Sequence, residues 1–131
     1  MADDSTAERI RKELVRDTDD ILVDNLETAK QLFHLDEGTG NVLLTKTSQD
    51  FGPQDRILVE LIGQLYAEMA GLVDESSLET SDIANRIGKD SNVVSARLSD
   101  LRDKGWVKSP SRGVHKFNEH RLEEVLDHLN Q

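Results

Sequence analysis

Apolar residues recur along this chain mostly at helical spacing. The widest set is Ile57, Leu58, Leu61, Ile62, Leu65, Tyr66, Met69 and Leu72, one broad face of a helix over residues 54–72. Pro53 suits its first turn, where the missing N–H costs nothing. This should be the most buried element. Further on, Ile83, Ala84 and Ile87 give one face to a short helix, with Thr80 or Ser81 as cap and Gly88 as stop. Val94, Leu98 and Leu101 stand at i, i+4 and i+7 on a second helix over residues 91–104, capped by Asp90 or Ser91 and ended by Gly105. Trp106-Val107-Lys108 and Val114-His115-Lys116-Phe117 read as strands about the turn Ser109-Pro110-Ser111-Arg112-Gly113. After a cap at Asn118, a last helix carries Leu122, Val125, Leu126 and Leu129. Ile83, Ile87, Leu61, Leu65, Val94, Leu98, Leu101 and Trp106 are expected to share one core.

The first fifty residues are more polar. Residues 1–6 are expected to fray. A charged helix over residues 7–16 has only Ile10 and Leu14 on its apolar face. A second helix, capped by Asp17 or Thr18, runs to Phe33 with Leu22, Leu26, Ala29 and Phe33 as its stripe. These helices need another surface to cover them. Phe33-His34-Leu35-Asp36 and Asn41-Val42-Leu43-Leu44-Thr45 form a β-hairpin around Glu37-Gly38-Thr39-Gly40. That turn is no phosphate cradle, because a third spaced glycine, a following helix and any Gly-Lys-Ser/Thr are missing. Residues 46–52 read as a loop and residues 73–79 as an acidic connector. The expected class is mainly α with a small β part, with residues 1–50 a helical and hairpin extension of a domain over residues 51–131.

Helix, glycine turn, helix, Gly-Trp-Val strand, basic turn and strand: this order resembles the winged helix-turn-helix superfamily. The likeness is to the MarR-like and ArsR-like regulators, through Leu101-Arg102-Asp103-Lys104-Gly105-Trp106-Val107. It covers roughly half of the chain. It implies a duplex-DNA-binding transcription regulator with a recognition helix over residues 91–104 and a wing over residues 106–117. It also implies a homodimer paired through flanking helices, here the stripes Leu22-Leu26-Ala29-Phe33 and Leu122-Val125-Leu129. Some winged helices bind only proteins, so an adaptor without DNA affinity is the other reading.

Charge sharpens this picture. The 131 residues carry 16 bases and 26 acids, net −10. Asp exceeds Glu and Arg exceeds Lys, a composition that resembles proteins of extreme halophiles, whose cytosol is molar in salt. Residues 82–116 hold eight bases and four acids, +4, while the remainder holds eight bases and 22 acids, −14. The bases thus fall on the segment that resembles a DNA reader. There is no cysteine, which removes disulfides, thiol catalysis and thiolate metal sites. Met-Ala-Asp-Asp-Ser has no basic, then apolar, leader pattern, and no run approaches a membrane span, so a cytoplasmic protein is expected.

On the 91–104 helix the face opposite the apolar stripe holds Asn92, Ser95, Ala96, Ser99 and Asp103, with Arg97 and Arg102 on opposite flanks. In a docked winged helix this face enters the major groove. Asn92 is the base reader, since its amide pairs bidentately with adenine. Ser95 and Ser99 reach bases or phosphates. Arg97 and Arg102 hold phosphates, which position without specifying. Lys89 touches the backbone ahead of the helix; Arg112, His115 and Lys116 reach the adjacent groove or the backbone from the wing. The small neutral face, closed by Asp103, equally suits a protein partner. Enzyme chemistry has little support: nothing places a serine or an aspartate beside a base. His120, Glu124 and His128 share a helical face but are spaced too far along it for the two histidines to share a metal. No cofactor and no metal are expected.

Overall fold

The computed structural model describes residues 4–131; residues 1–3, part of the stretch expected to fray, lie outside the described residues. In chain order the elements are α1 (Asp4–Leu14), α2 (Thr18–Asp24), α3 (Leu26–Ala29), β1 (Phe33–Leu35), β2 (Val42–Leu44), α4 (Pro53–Met69), β3 (Leu78–Glu79), α5 (Thr80–Ile87), α6 (Ser91–Asp103), β4 (Val107–Ser111), β5 (Val114–Phe117), a 3₁₀ turn (Glu119–Arg121) and α7 (Leu122–Leu129). The class is α+β and mainly helical.

Helix α4 is the axis. All eleven residues from Ile57 to Ala67 are buried, so it is covered on every side and not on one broad face. Met69 is exposed and Leu72 lies beyond the helix end. Full burial takes in two polar side chains, Glu60 and Gln64. Glu60 accepts from Arg56 at 3.2 Å, and Arg86 stands 3.8 Å from its other oxygen. Burial pushes this carboxyl above its usual range, against the pull of Arg56 and then of Arg86. Gln64 accepts from Arg86 at 3.2 Å and donates to the Glu75 carbonyl at 3.0 Å. A buried charge persists only with such partners, so Arg86 serves the edge of the core.

A short strand lies in the connector before α5, where none was expected: Leu78 and Glu79 form β3 and pair with β5. The sheet order is β3-β5-β4, all antiparallel. Helix α5 is capped by Glu79 and not by Thr80 or Ser81; the Glu79 N–H donates to the Asp82 carboxylate at 3.3 Å. Gly88 ends α5 at φ 69°, the left-handed conformation glycine takes freely. Val94, Leu98 and Leu101 of α6 are fully buried, in one cluster with Leu61, Leu65, Ile83 and Trp106, and Ile87 packs partly buried against it. The expected common core is present.

The core also runs on across residue 50. Leu22, Ala29, Leu32 and Phe33 belong to the same cluster. Asp17 caps α2, accepting from the Asp20 N–H at 2.9 Å. The helix then breaks at Asn25, whose amide donates to the Ile21 carbonyl at 2.8 Å, so the expected helix to Phe33 is two short pieces and a turn. That break moves the stripe: Leu26 is exposed, while Leu32 takes a fully buried place. Phe33 meets the Tyr66 ring edge-on at 5.8 Å, and the Tyr66 hydroxyl donates to the Leu22 carbonyl at 2.8 Å. Burial pushes that hydroxyl up to about 12. On the far side Leu122, Val125, Leu126 and Leu129 of α7 are all buried. Of the two stripes assigned to a partner subunit, Leu22, Ala29, Phe33, Leu122, Val125 and Leu129 are buried within the chain and Leu26 is exposed. Helix α1 differs: none of its described residues is buried.

The β1–β2 hairpin, in register Phe33↔Leu44 and Leu35↔Val42, packs on α4 at Gly63. A methyl built on Gly63 would lie 2.2 Å from Cγ2 of Val42. A stiff β-branched side chain cannot yield that much. Gly63→Ala should destabilise by about 1–3 kcal/mol as overpacking, partly offset by about 1 kcal/mol of helix propensity. Adding Val42→Ala should recover part of the loss. Urea midpoints of both variants check this; additive losses would mean that the two positions do not meet.

Candidate nucleic-acid interface

Helix α6 is held by its apolar stripe, so its other faces look outward. Asn92, Ser95, Arg97, Ser99 and Arg102 are exposed there, as are Lys89 before it and Arg112 in the β4–β5 turn. That turn is only Arg112-Gly113, with Gly113 at φ 75°. The Thr80 N–H donates to the Gly113 carbonyl at 3.1 Å, which ties the turn to the start of α5.

These elements enclose an open cleft of about 380 Å³, lined by Thr80, Ser95, Arg102, Ser109, Arg112, Gly113 and His115. Two guanidiniums, three hydroxyls and an imidazole meet here, and no carboxylate lines it. In a chain of net charge −10 this is a local reversal of sign. Guanidinium forks and hydroxyls are the groups that bind phosphate oxygens. Thr80 and Ser109 were not expected at the site. Thr80 arrives because β3 and the α5 start lie beside the turn. Ser109 Oγ sits 2.8 Å from the carbonyls of Ser111 and Val114, within the register irregularity between Lys108 and Ser111.

Three expected positions come out differently. His115 is buried and cannot reach a groove. Its ring lies 2.9 Å from Thr80 Oγ1 through Nε2 and 3.4 Å from Arg102 Nη1 through Nδ1. Arg102 can only donate, which assigns Nδ1 as acceptor and puts the ring proton on Nε2, toward Thr80. Burial, and then the Arg102 charge, hold this imidazole below its ordinary value. Lys116 lies on the other face of the ribbon, since His115 and Phe117 point inward and side chains alternate; its cross-strand neighbour is Lys108. Arg97 faces away from the cleft, pairs with Asp100 at 3.4 Å and lines a separate pocket with Val93, Asp55 and His128. The +4 segment is thus not one stripe. Arg86 serves the core, Lys104 sits over the Trp106 ring at 4.8 Å, and Arg102 and Arg112 are the two that line the cleft.

The His115 link has a pH signature. The unfolded chain takes a proton near the ordinary 6.5, the folded chain only lower. The link's stability is therefore complete above that value and is lost as pH falls through the lower folded one. Urea midpoints should begin to drop as pH falls below the ordinary histidine value of about 6.5, and His115→Gln should lose that share of the drop. Parallel curves for the two proteins would show that the ring titrates alike folded and unfolded.

Of the last-helix set, His120 lies exposed on the 3₁₀ turn before α7, while Glu124 and His128 hold Trp106 and Asp55. His128 Nε2 lies 3.2 Å from Asp55, its ring is 5.3 Å from that of Trp106, and Glu124 accepts from the Trp106 N–H at 2.9 Å. Arg121, and then that indole N–H, hold the Glu124 carboxyl below its usual range. Among the described residues no three His, Asp or Glu side chains gather as a metal-ligand set, and no helix is long and apolar enough to cross a membrane. No family model, curated protein or solved structure matches the chain.

Proposed function

We propose that this chain is a winged helix-turn-helix protein that binds duplex DNA and regulates transcription in the cytoplasm of a salt-loving cell. The carboxylate-free cleft between α6 and the ribbon carries the reading: a backbone phosphate sits against Arg102 and Arg112, with Ser95 as a further donor. The order helix, strand, two helices and ribbon supports it, as does the burial of Val94, Leu98 and Leu101, which turns Asn92, Ser95, Ser99 and Arg102 outward. With one phosphate seated, α6 lies along the groove and Asn92 and Ser99 are free to meet base edges. Lys89 contacts the backbone ahead of α6. No catalytic step is assigned.

Selection of bound sequences from a random duplex pool, in molar potassium chloride, tests this. Enrichment of a common site, lost with Arg102→Glu, is the expected result. The adaptor reading draws on the exposed acids Asp90, Asp100 and Asp103 around α6. It takes over if nothing is enriched, and the cleft then holds a carboxylate of a partner protein.

A further inference from the structure

His115 occupies a place suited to an apolar side chain. It shares the inner face of β5 with Phe117 and is 4% exposed, and Leu78 of β3 lies directly across from it. Burying an imidazole costs desolvation that a leucine would not, so a polar ring here calls for a use. Both of its nitrogens are engaged, and the bonds have a direction. The Thr80 hydroxyl donates to the Gly113 carbonyl at 3.4 Å, which leaves its oxygen to accept from Nε2–H at 2.9 Å. Nδ1 then accepts from Arg102 Nη1 at 3.4 Å. The tautomer that Arg102 requires is therefore also the one that Thr80 requires. The chain of bonds runs from Arg102 on α6 through His115 and Thr80 to Gly113, which follows Arg112 directly. No carboxylate lines the cleft to compete for Arg102.

We propose that His115 is the positioning residue of this cleft: its neutral ring fixes the Arg102 guanidinium relative to Arg112, so that the seat is formed before a ligand arrives. The inference rests on the phosphate seat described under the proposed function and adds what keeps that seat in shape. An arginine on an exposed helix face samples many rotamers, and ordering it on binding costs affinity. With one N–H of Arg102 given to Nδ1, that ordering is done in advance, and its other donors remain for the ligand. Arg112 is placed separately, by the Thr80 N–H bond to the Gly113 carbonyl at 3.1 Å, which does not pass through the ring.

Substitutions separate positioning from packing. His115→Leu fills the buried place and removes both bonds, whereas His115→Gln keeps an acceptor and a donor. Duplex affinity should fall about two- to tenfold with His115→Leu and recover with His115→Gln. In a double-mutant cycle His115→Leu should cost little once Arg102 is alanine, and its full amount when Arg112 is alanine instead. A second measurement needs no DNA. Nitrogen-15 relaxation of the Arg102 Nε–H in the free protein should show an ordered side chain in the wild type and His115→Gln, and a mobile one in His115→Leu. Thr80→Val, which breaks the chain of bonds at its other end without altering the core, should loosen Arg102 in the same direction. Equal mobility of Arg102 in the wild type, His115→Leu and Thr80→Val overturns the proposal, whether or not DNA binds. So does a duplex affinity that His115→Leu leaves unchanged. A protein that binds no duplex but loses Arg102 order with His115→Leu would remove the DNA reading and keep the positioning role, for another anion.

Discussion

Replacing Arg102 and Arg112 together by glutamate should abolish duplex binding. In the proposed complex each guanidinium donates to one phosphate, and a hydrogen bond to a charged group contributes about 1.5–3 kcal/mol. Two of them amount to roughly 10²–10⁴-fold in affinity, before the repulsion from two new carboxylates. Both side chains are exposed, so the fold should survive. The single change Arg102→Ala should weaken all sequences alike and flatten the log–log salt slope by about 0.9. Asn92→Ala should instead narrow the gap between preferred and random DNA by about 1–3 kcal/mol. Arg97→Ala, on the flank away from the cleft, is the control and should do little. At molar salt the screening length is about 3 Å, so these contacts act at touching range and not by long-range steering. Filter binding across a salt series separates the variants; an unchanged affinity for the double reversal removes the cleft from the interface.

Leu101→Ala should cost on the order of 2–5 kcal/mol of stability, as buried leucines do. Leu101 is fully buried where α6 passes into the ribbon, and its carbonyl accepts the Trp106 N–H at 3.1 Å. The cavity would open between α6 and α4, which cannot close up because Leu61 and Leu98 are themselves fixed by burial. In a chain of this size the loss corresponds to a fall in melting temperature on the order of 10 °C. An unchanged melting temperature would be incompatible with this packing.

The elements with strong periodicity were legible in the sequence. The stripes of α6 and α7 name their buried residues, that of α4 names six of its eleven and wrongly adds Met69 and Leu72, and Gly88, Gly105 and Gly113 mark the turns. What escaped were features set by distant neighbours. Strand β3 has two residues and no pattern of its own; it exists because β5 offers an edge. Glu60 and Gln64 are buried because Arg86 arrives from α5. Leu32 replaces Leu26 because Asn25 breaks the helix, which periodicity alone does not register. His115 is a different kind of miss. In Val114-His115-Lys116-Phe117 the alternation places His115 on the same face as the buried Phe117, and that period of two was available to mark it as interior and Lys116 as outward. At the site, Ser95, Arg102 and Arg112 were legible; Thr80 and Ser109 depend on the ribbon's registration against α5.

The chain holds one tryptophan and one tyrosine, and each sits at a different seam. Trp106 lies where α6, the ribbon and α7 meet, its ring against His128 and beneath Lys104. Tyr66 lies where α4 meets α2 and β1, bonded to the Leu22 carbonyl and edge-on to Phe33. The protein therefore carries two native optical probes, one per half. Indole emission reports loosening at the ribbon, and the tyrosine band reports release of the N-terminal helices. Because one continuous core joins the two seams, both signals should change together along a denaturant titration, with a single midpoint.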